Sequence, residues 1–309
     1  MLIVIFLILL YIIGIFLSGF YAFMVACRRK KEHCWINWGD IKNSPYEAYY
    51  DMIIAADEWL KMHETSDLYI RSCDGLLLHG LWIPAKEARG TLLMVHGYRS
   101  TQLIDFGLVL DYYHTCGYNL LLPDQRSHGK SEGRYITFGV KESSDIKEWI
   151  SYHNLKLSEC PVILCGLSMG ASTVMYLADQ ELPSNVKGII ADCGFTSPKD
   201  IIGSVYKGIT HLPPGPSLWA VDLFARMIAD FGLSQKDTRC SLLNNRIPIL
   251  MVHGMRDDYV PCEMTRQAFS VCAGSKELLL VEGAGHGLSY LVNKTLYNKT
   301  VDDFLKKVI

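Results

Sequence analysis

The stretch Val162-Ile163-Leu164-Cys165-Gly166-Leu167-Ser168-Met169-Gly170 constrains this chain more than any other. An apolar run of strand length meets Gly-x-Ser-x-Gly, and a helical pattern, Ala171 to Leu177, follows at once. A serine hydroxyl is a poor nucleophile unless it is held exposed at a sharp strand-to-helix turn where a base can reach it. The glycines permit that turn, because a side chain at 166 or 170 would collide across the bend, and the flanking elements can hold strained backbone at the serine. Gly-x-Ser-x-Gly alone is a weak signal, and Ser168 could serve merely as a helix N-cap. Partners in the right order favour the nucleophile.

Those partners lie later in the chain. Gly283-Ala284-Gly285-His286-Gly287 places a histidine in a glycine-rich loop after a strand-like run, and imidazole suits proton transfer near neutral pH. An orienting carboxylate is expected at the end of an intervening strand, where Ile249 to Pro261 contains both Asp257 and Asp258. Spacing leaves the choice between the two acids open. The oxyanion of acyl transfer needs backbone donors, one from Met169 at the helix N-terminus and a second from Tyr98 in His96-Gly97-Tyr98-Arg99-Ser100. His96, His128, His253, Asp124 and Arg126 read as loop-building residues, and Cys165 as a buried thiol.

Around these residues short apolar runs alternate with helical patterns. Strands are expected at 68–72, 76–82, 91–96, 119–123, 162–166, 188–192, 249–253 and 277–281, and helices at 106–115, 141–152, 168–179, 218–231, 263–271 and 294–307. The first two strands form a hairpin at Cys73-Asp74-Gly75; the others, separated by helices, make a mostly parallel sheet covered on both faces. From Phe195 to Leu243 the rhythm breaks into a Pro-, Gly- and aromatic-rich insertion with one clear helix. It is expected to cap the serine, with some of Leu212, Leu218, Trp219, Val221, Leu223, Phe224, Met227 and Ile228 lining an acyl pocket.

The motifs HGYRS at 96–100, DQRSHGKSEG at 124–133, GLSMGA at 166–171, HGMRDDYVP at 253–261 and GAGHG at 283–287 together resemble the α/β-hydrolase superfamily, in its serine esterase, lipase and aminopeptidase-like group. The resemblance covers the chain from about Leu68 onward and selects Asp257 over Asp258, implying a triad of Ser168, Asp257 and His286. No metal or organic cofactor is implied. The expected substrate is a small-molecule or lipid-like carboxylic ester, or a thioester or amide, cleaved through an acyl-enzyme. A serine aminopeptidase is the alternative, which would need an acidic pair in the cap such as Asp222 and Asp230 to receive an amine. A catalytically silent hydrolase fold that only binds is a third reading.

Outside the resemblance, Met1 to Cys27 carries no charged side chain, while Arg28, Arg29, Lys30 and Lys31 follow directly. Roughly 20 apolar residues span a bilayer, so residues 1–27 are expected to form a single transmembrane anchor. A signal peptide would show a basic n-region and a shorter apolar stretch, and the same features argue against a lipoprotein signal ending at Cys27. The positive-inside rule then puts the catalytic domain in the cytoplasm. Ten cysteines without a CxxC pair suit a reducing compartment and offer no zinc-site spacing. The sequons at Asn293 and Asn298 read as chance. Residues 28–66 form a basic and amphipathic juxtamembrane segment, in which Tyr49 to His63 has helical spacing and packs on either the body or the membrane. Residues 67–309 make the hydrolase domain, with its cap at about 195–243.

Composition adds exclusions. Hydrophobic residues at 50% and charged residues at 20% exclude a disordered chain. A net charge of −2 leaves no basic excess for nucleic acid.

Overall fold

The computed structural model describes residues 1–30, 42, 47–211 and 213–309. Lys31, Cys34, Leu212 and most of the juxtamembrane segment up to residue 46 lie outside the described residues. Eight strands make one sheet: β1 (Ser66–Arg71), β2 (Leu77–Ile83), β3 (Gly90–Val95), β4 (Tyr118–Pro123), β5 (Val162–Leu167), β6 (Val186–Asp192), β7 (Ile249–Gly254) and β8 (Lys276–Val281), in the order β1-β2-β4-β3-β5-β6-β7-β8. β2 pairs antiparallel with β1 and β4, and every other pair is parallel. The expected hairpin closes at Gly75, whose φ of +90° and N–H bond to Ser72 O (3.0 Å) make the turn.

The helices are α1 (Leu2–Cys27), α2 (Tyr50–Met62), α3 (Gln102–Thr115), α4 (Glu142–Tyr152), α5 (Met169–Met175), α6 (Pro198–Thr210), α7 (Gly215–Ala229), α8 (Thr238–Leu243), α9 (Cys262–Val271), α10 (Ser289–Val292) and α11 (Lys294–Val308). Alternate residues of a central strand enter different cores: Leu93 and Val95 join Ile146, Trp149 and Val174 on one face, while Leu92 and Met94 join Phe106, Leu110 and Phe304 on the other. That period of two is how a sheet buried on both faces is built.

Three expectations change. α5 ends at Met175 rather than Asp179, because Leu177 N–H and Ala178 N–H bond three residues back, tightening the chain out of the α-helix. The insertion holds three helices rather than one. α6 starts at Ser197, whose side chain accepts from Asp200 N–H, with Pro198 at its first turn. Trp219, Met227 and Ile228 are exposed instead of lining a pocket, while Val221 is buried.

α2 packs on the body: Ile53 is buried, Ala56 lies against Gly107 of α3, and Trp59 Nε1–H donates to Asp111 (2.9 Å). Asn293, in a sequon, caps α11 by accepting from Leu296 N–H.

A third core is the unexpected one. Phe23 and Cys27 of α1 join Val221 and Ala225 of α7, Phe138, Phe195 and Met169 in one apolar cluster. Beyond Cys27 the chain continues as backbone pairing, with Ile136 N–H donating to Cys27 O (2.7 Å) and Arg29 N–H to Arg134 O (2.9 Å).

Candidate active site

Every loop expected to carry chemistry leaves the carboxyl end of a parallel strand: Gly97 after β3, Ser168 after β5, Asp257 after β7 and His286 after β8. Ser168 adopts φ 55° and ψ −115°, a conformation costly for a residue with a β-carbon. Its neighbours enforce it. A β-carbon on Gly170 would overlap the Val95 carbonyl, and one on Gly166 would overlap the Gly170 carbonyl, so both positions demand glycine. Ser168 N–H donates to Asp192 O (2.8 Å), tying the bend to β6.

Ser168 Oγ lies 2.9 Å from His286 Nε2, and His286 Nδ1 lies 2.7 Å from Asp257 Oδ2. In this arrangement Nδ1–H donates to the carboxylate, leaving Nε2 to accept from the hydroxyl. Asp257 Oδ1 accepts from Tyr259 N–H (2.9 Å) and Val260 N–H (2.8 Å), while Asp258 is exposed. Burial raises the Asp257 carboxyl, but bonds from His253 and His286 and the charge of His286 outweigh it and hold the group below the usual carboxylate range.

The loop expected to supply the second oxyanion donor touches the serine: a β-carbon on Gly97 would lie 3.2 Å from Ser168 Cβ. Its shape is fixed from below. Gly97 N–H and Ser100 Oγ–H both donate to Asp105 (2.5 Å each), and Arg99 N–H donates to His128 Nε2 (3.0 Å). Burial keeps His128 neutral, as an acceptor must be. Met169, the other expected donor, opens α5 and is fully buried. The Tyr98 ring stacks on Phe138, and its hydroxyl donates to Ala26 O of α1 (2.7 Å). Arg99 Nη2 donates to Val25 O (2.5 Å) and Arg28 O (3.2 Å), so adjacent residues of the 96–100 loop grip the end of the apolar helix.

The other motif residues are structural. Arg126 pairs with Asp74 and Asp145, Asp124 accepts from His79 and Lys130 N–H, and His96 bonds Gln125. Burial pushes the Cys165 thiol well up. Asp105 and His253 were not foreseen as parts of the site. His253 is fully buried, bonds Thr265 Oγ1 (2.7 Å) and lies 3.1 Å from Asp257 Oδ2. Cys193, Asp257 and His286 bring ligand atoms within 4.8 Å of one another, but the acid and imidazole already bond each other and burial keeps the Cys193 thiol protonated. Such a donor set suits proton transfer better than a cation.

Comparison with known proteins agrees with this architecture. The family described as "Serine aminopeptidase, S33" matches residues 86–221, and the family described as "TAP-like protein" matches residues 232–308. The Bacillus subtilis protein YqkD, itself uncharacterized, is 27% identical over 80% of this chain and 81% of its own length. Protein bem46 of Schizosaccharomyces pombe is 24% identical over 62% of this chain and 59% of its own. Among solved structures, an esterase of Pyrococcus furiosus superposes with a TM-score of 0.65 at 24% identity, covering 80% of this chain and 92% of that one. The acylaminoacyl peptidase of Pyrococcus horikoshii superposes at 0.61 with 16% identity, covering 80% of this chain and 42% of that one. With its eight-stranded sheet, its strained serine turn and these matches along the body, the chain belongs to the α/β-hydrolase superfamily.

Proposed function

We propose that the protein is a membrane-anchored serine hydrolase that cleaves a carboxylic ester through an acyl-enzyme, with Ser168, His286 and Asp257 as its triad. The continuous path from Ser168 Oγ through His286 to Asp257, at 2.9 and 2.7 Å, carries this reading. Ser168 Oγ attacks the ester carbonyl carbon while His286 Nε2 takes its proton. Charge on the carbonyl oxygen is received by the N–H groups of Met169 and Tyr98. Collapse expels the alcohol, protonated by His286, and water activated by the same nitrogen then releases the acid and regenerates Ser168. Thioester or amide cleavage would follow the same steps with a different leaving group.

The esterase among the fold neighbours supports an ester substrate. The serine aminopeptidase family description favours an amine-bearing substrate instead, but the cap acids are engaged elsewhere. Asp222 pairs with Arg226 and caps Leu233 N–H, and Asp230 is exposed and pairs with Lys141. A fluorophosphonate probe tests the central assignment: wild-type protein should be labelled and Ser168→Ala should not. Labelling of the variant would refute the triad.

For the domains, we read residues 1–27 as the anchor, 28–66 as the juxtamembrane segment and 67–309 as the catalytic body. The seating of Phe23 and Cys27 in the cap cluster supports a helix retained with the body rather than cleaved from it. Arg28 and Lys30 support a cytoplasmic body, while Arg29 is held by the carbonyls of Gly129 and Ser131 (2.6 Å each). Protease added outside intact cells should spare the body; cleavage would reverse the topology.

A further inference from the structure

The cap helix α7 carries an apolar stripe that the described residues leave largely exposed. Trp219, Leu223 and Met227 recur every fourth residue and so share one face. Trp219 is 59% exposed and Met227 71%, while Leu223 is half-buried. The adjoining face of α7 is occupied by α1. Gly19 packs on Ala220, Phe16 meets Trp219 and Phe224 edge-on (ring centroids 5.7 and 6.3 Å), and Phe20 meets Phe224 (5.2 Å).

Over this docked length the outer side of α1 is just as apolar, with Leu17, Tyr21 and Val25 exposed. The stripe and the anchor therefore form one continuous apolar surface. A hydrocarbon core takes roughly 20 helical residues. Counted back from Arg28, the first charge after α1, that length runs from Cys27 to Ile8 and includes every residue that docks on α7. Wherever this part of α1 is immersed, α7 is carried in beside it. A tryptophan on such a surface also suits the membrane–water boundary.

We propose that α7 is embedded with α1 in one leaflet, and that the substrate is an acyl ester drawn from that leaflet rather than from water. The proposal rests on the serine hydrolase and anchor readings and names where their substrate resides. It accounts for the grip of Tyr98 and Arg99 on the end of α1, which sets the oxyanion loop against the immersed helix. It also accounts for exposed residues at cap positions that would otherwise cost solubility. A second copy of the chain could cover the same stripe, but the bilayer is favoured because the stripe is continuous with the anchor's own exposed surface.

The test uses the full chain reconstituted in phosphatidylcholine vesicles. The difference in emission between wild type and Trp219→Phe isolates Trp219. Its emission should be blue-shifted, quenched by bromines on the lipid acyl chains and insensitive to aqueous iodide. Trp219→Lys combined with Met227→Lys should lower turnover of a diacylglycerol analogue dispersed in the vesicles by about tenfold, given the cost of charge at that depth, and leave hydrolysis of para-nitrophenyl acetate unchanged. Iodide quenching, or shielding from both quenchers as a second copy would give, overturns the proposal. So does equal loss on both substrates. Failure of the underlying readings is seen separately, as release by carbonate wash for the anchor or absent fluorophosphonate labelling for Ser168, and either removes the proposal with them.

Discussion

Gly19 of α1 packs so tightly on Ala220 of α7 that a β-carbon at position 19 would overlap the Ala220 side chain. A β-carbon on Gly14, one helical stretch earlier, would meet nothing within 4 Å. Gly19→Leu should therefore wedge the two helices apart at a cost of about 1–3 kcal/mol, while Gly14→Leu should be neutral. Because Tyr98 and Arg99 bond the carbonyls of Ala26 and Val25, the wedge should also slow fluorophosphonate labelling of Ser168. Thermal unfolding and labelling rates in detergent check both effects. Equal behaviour of the two variants would show that the helix contact contributes nothing.

Ser168→Ala and His286→Ala should each reduce kcat by at least about 10⁴-fold, the order seen when a triad member is removed. The fold should survive, since a smaller side chain at 168 relieves none of the packing that Gly166 and Gly170 provide. Ester hydrolysis at wild-type rate by purified Ser168→Ala protein would defeat the assignment.

The two neighbouring acids should separate cleanly. Asp257→Asn leaves His286 Nδ1–H without its carboxylate and should lower kcat severely, whereas exposed Asp258 should tolerate Asn. His253 lies 3.1 Å from Asp257 Oδ2 and is placed to position that carboxylate. His253→Leu should therefore lower kcat while leaving KM little changed, and His253→Gln, which keeps a donor, should restore part of the loss. A purely structural loss would lower Tm and the active fraction without a kcat difference between the two variants.

The geometry of the candidate site was legible because a serine at a strand–turn–helix bend and its expected partners need particular residues at strand ends. Glycines flank Ser168 since backbone oxygens occupy the space of their side chains, and His286 follows a strand because only a loop there reaches the serine. Strands were legible for a related reason: burial on both faces leaves continuous apolar runs such as Ile249 to Val252. The helix α6 escaped notice because Gly203 and Gly208 interrupt its pattern, although Ser197-Pro198 marked its start. Apolar content on α7 was visible, but hydrophobicity does not say what covers a face. Trp219 and Met227 were thus assigned to a pocket when they point outward. Nor does a glycine–alanine contact such as Gly19 on Ala220 leave any periodic trace, and Asp105 and His253 hold loop backbone at Gly97 and Val260 through contacts that no spacing in the sequence marks.

Asp192 offers a test of the electrostatics beneath the serine. It ends β6, is only 3% exposed, and its backbone carbonyl receives Ser168 N–H. Burial raises its carboxyl from the ordinary 3.8 to about 6, against partial relief from His253, Ser289, Tyr297 and His286. Between those values the folded protein binds the proton more tightly than the unfolded chain. Stability from this group is therefore fully present below about pH 4 and is lost as pH rises through about 6, by up to about 3 kcal/mol. Asp192→Asn is neutral at every pH and keeps the backbone carbonyl. Relative to wild type, its Tm should be higher at about pH 8 than at about pH 4, with labelling of Ser168 retained. A Tm difference that stays constant across that window would show that Asp192 is ionised in the folded protein throughout, and that the bonds from its neighbours outweigh its burial.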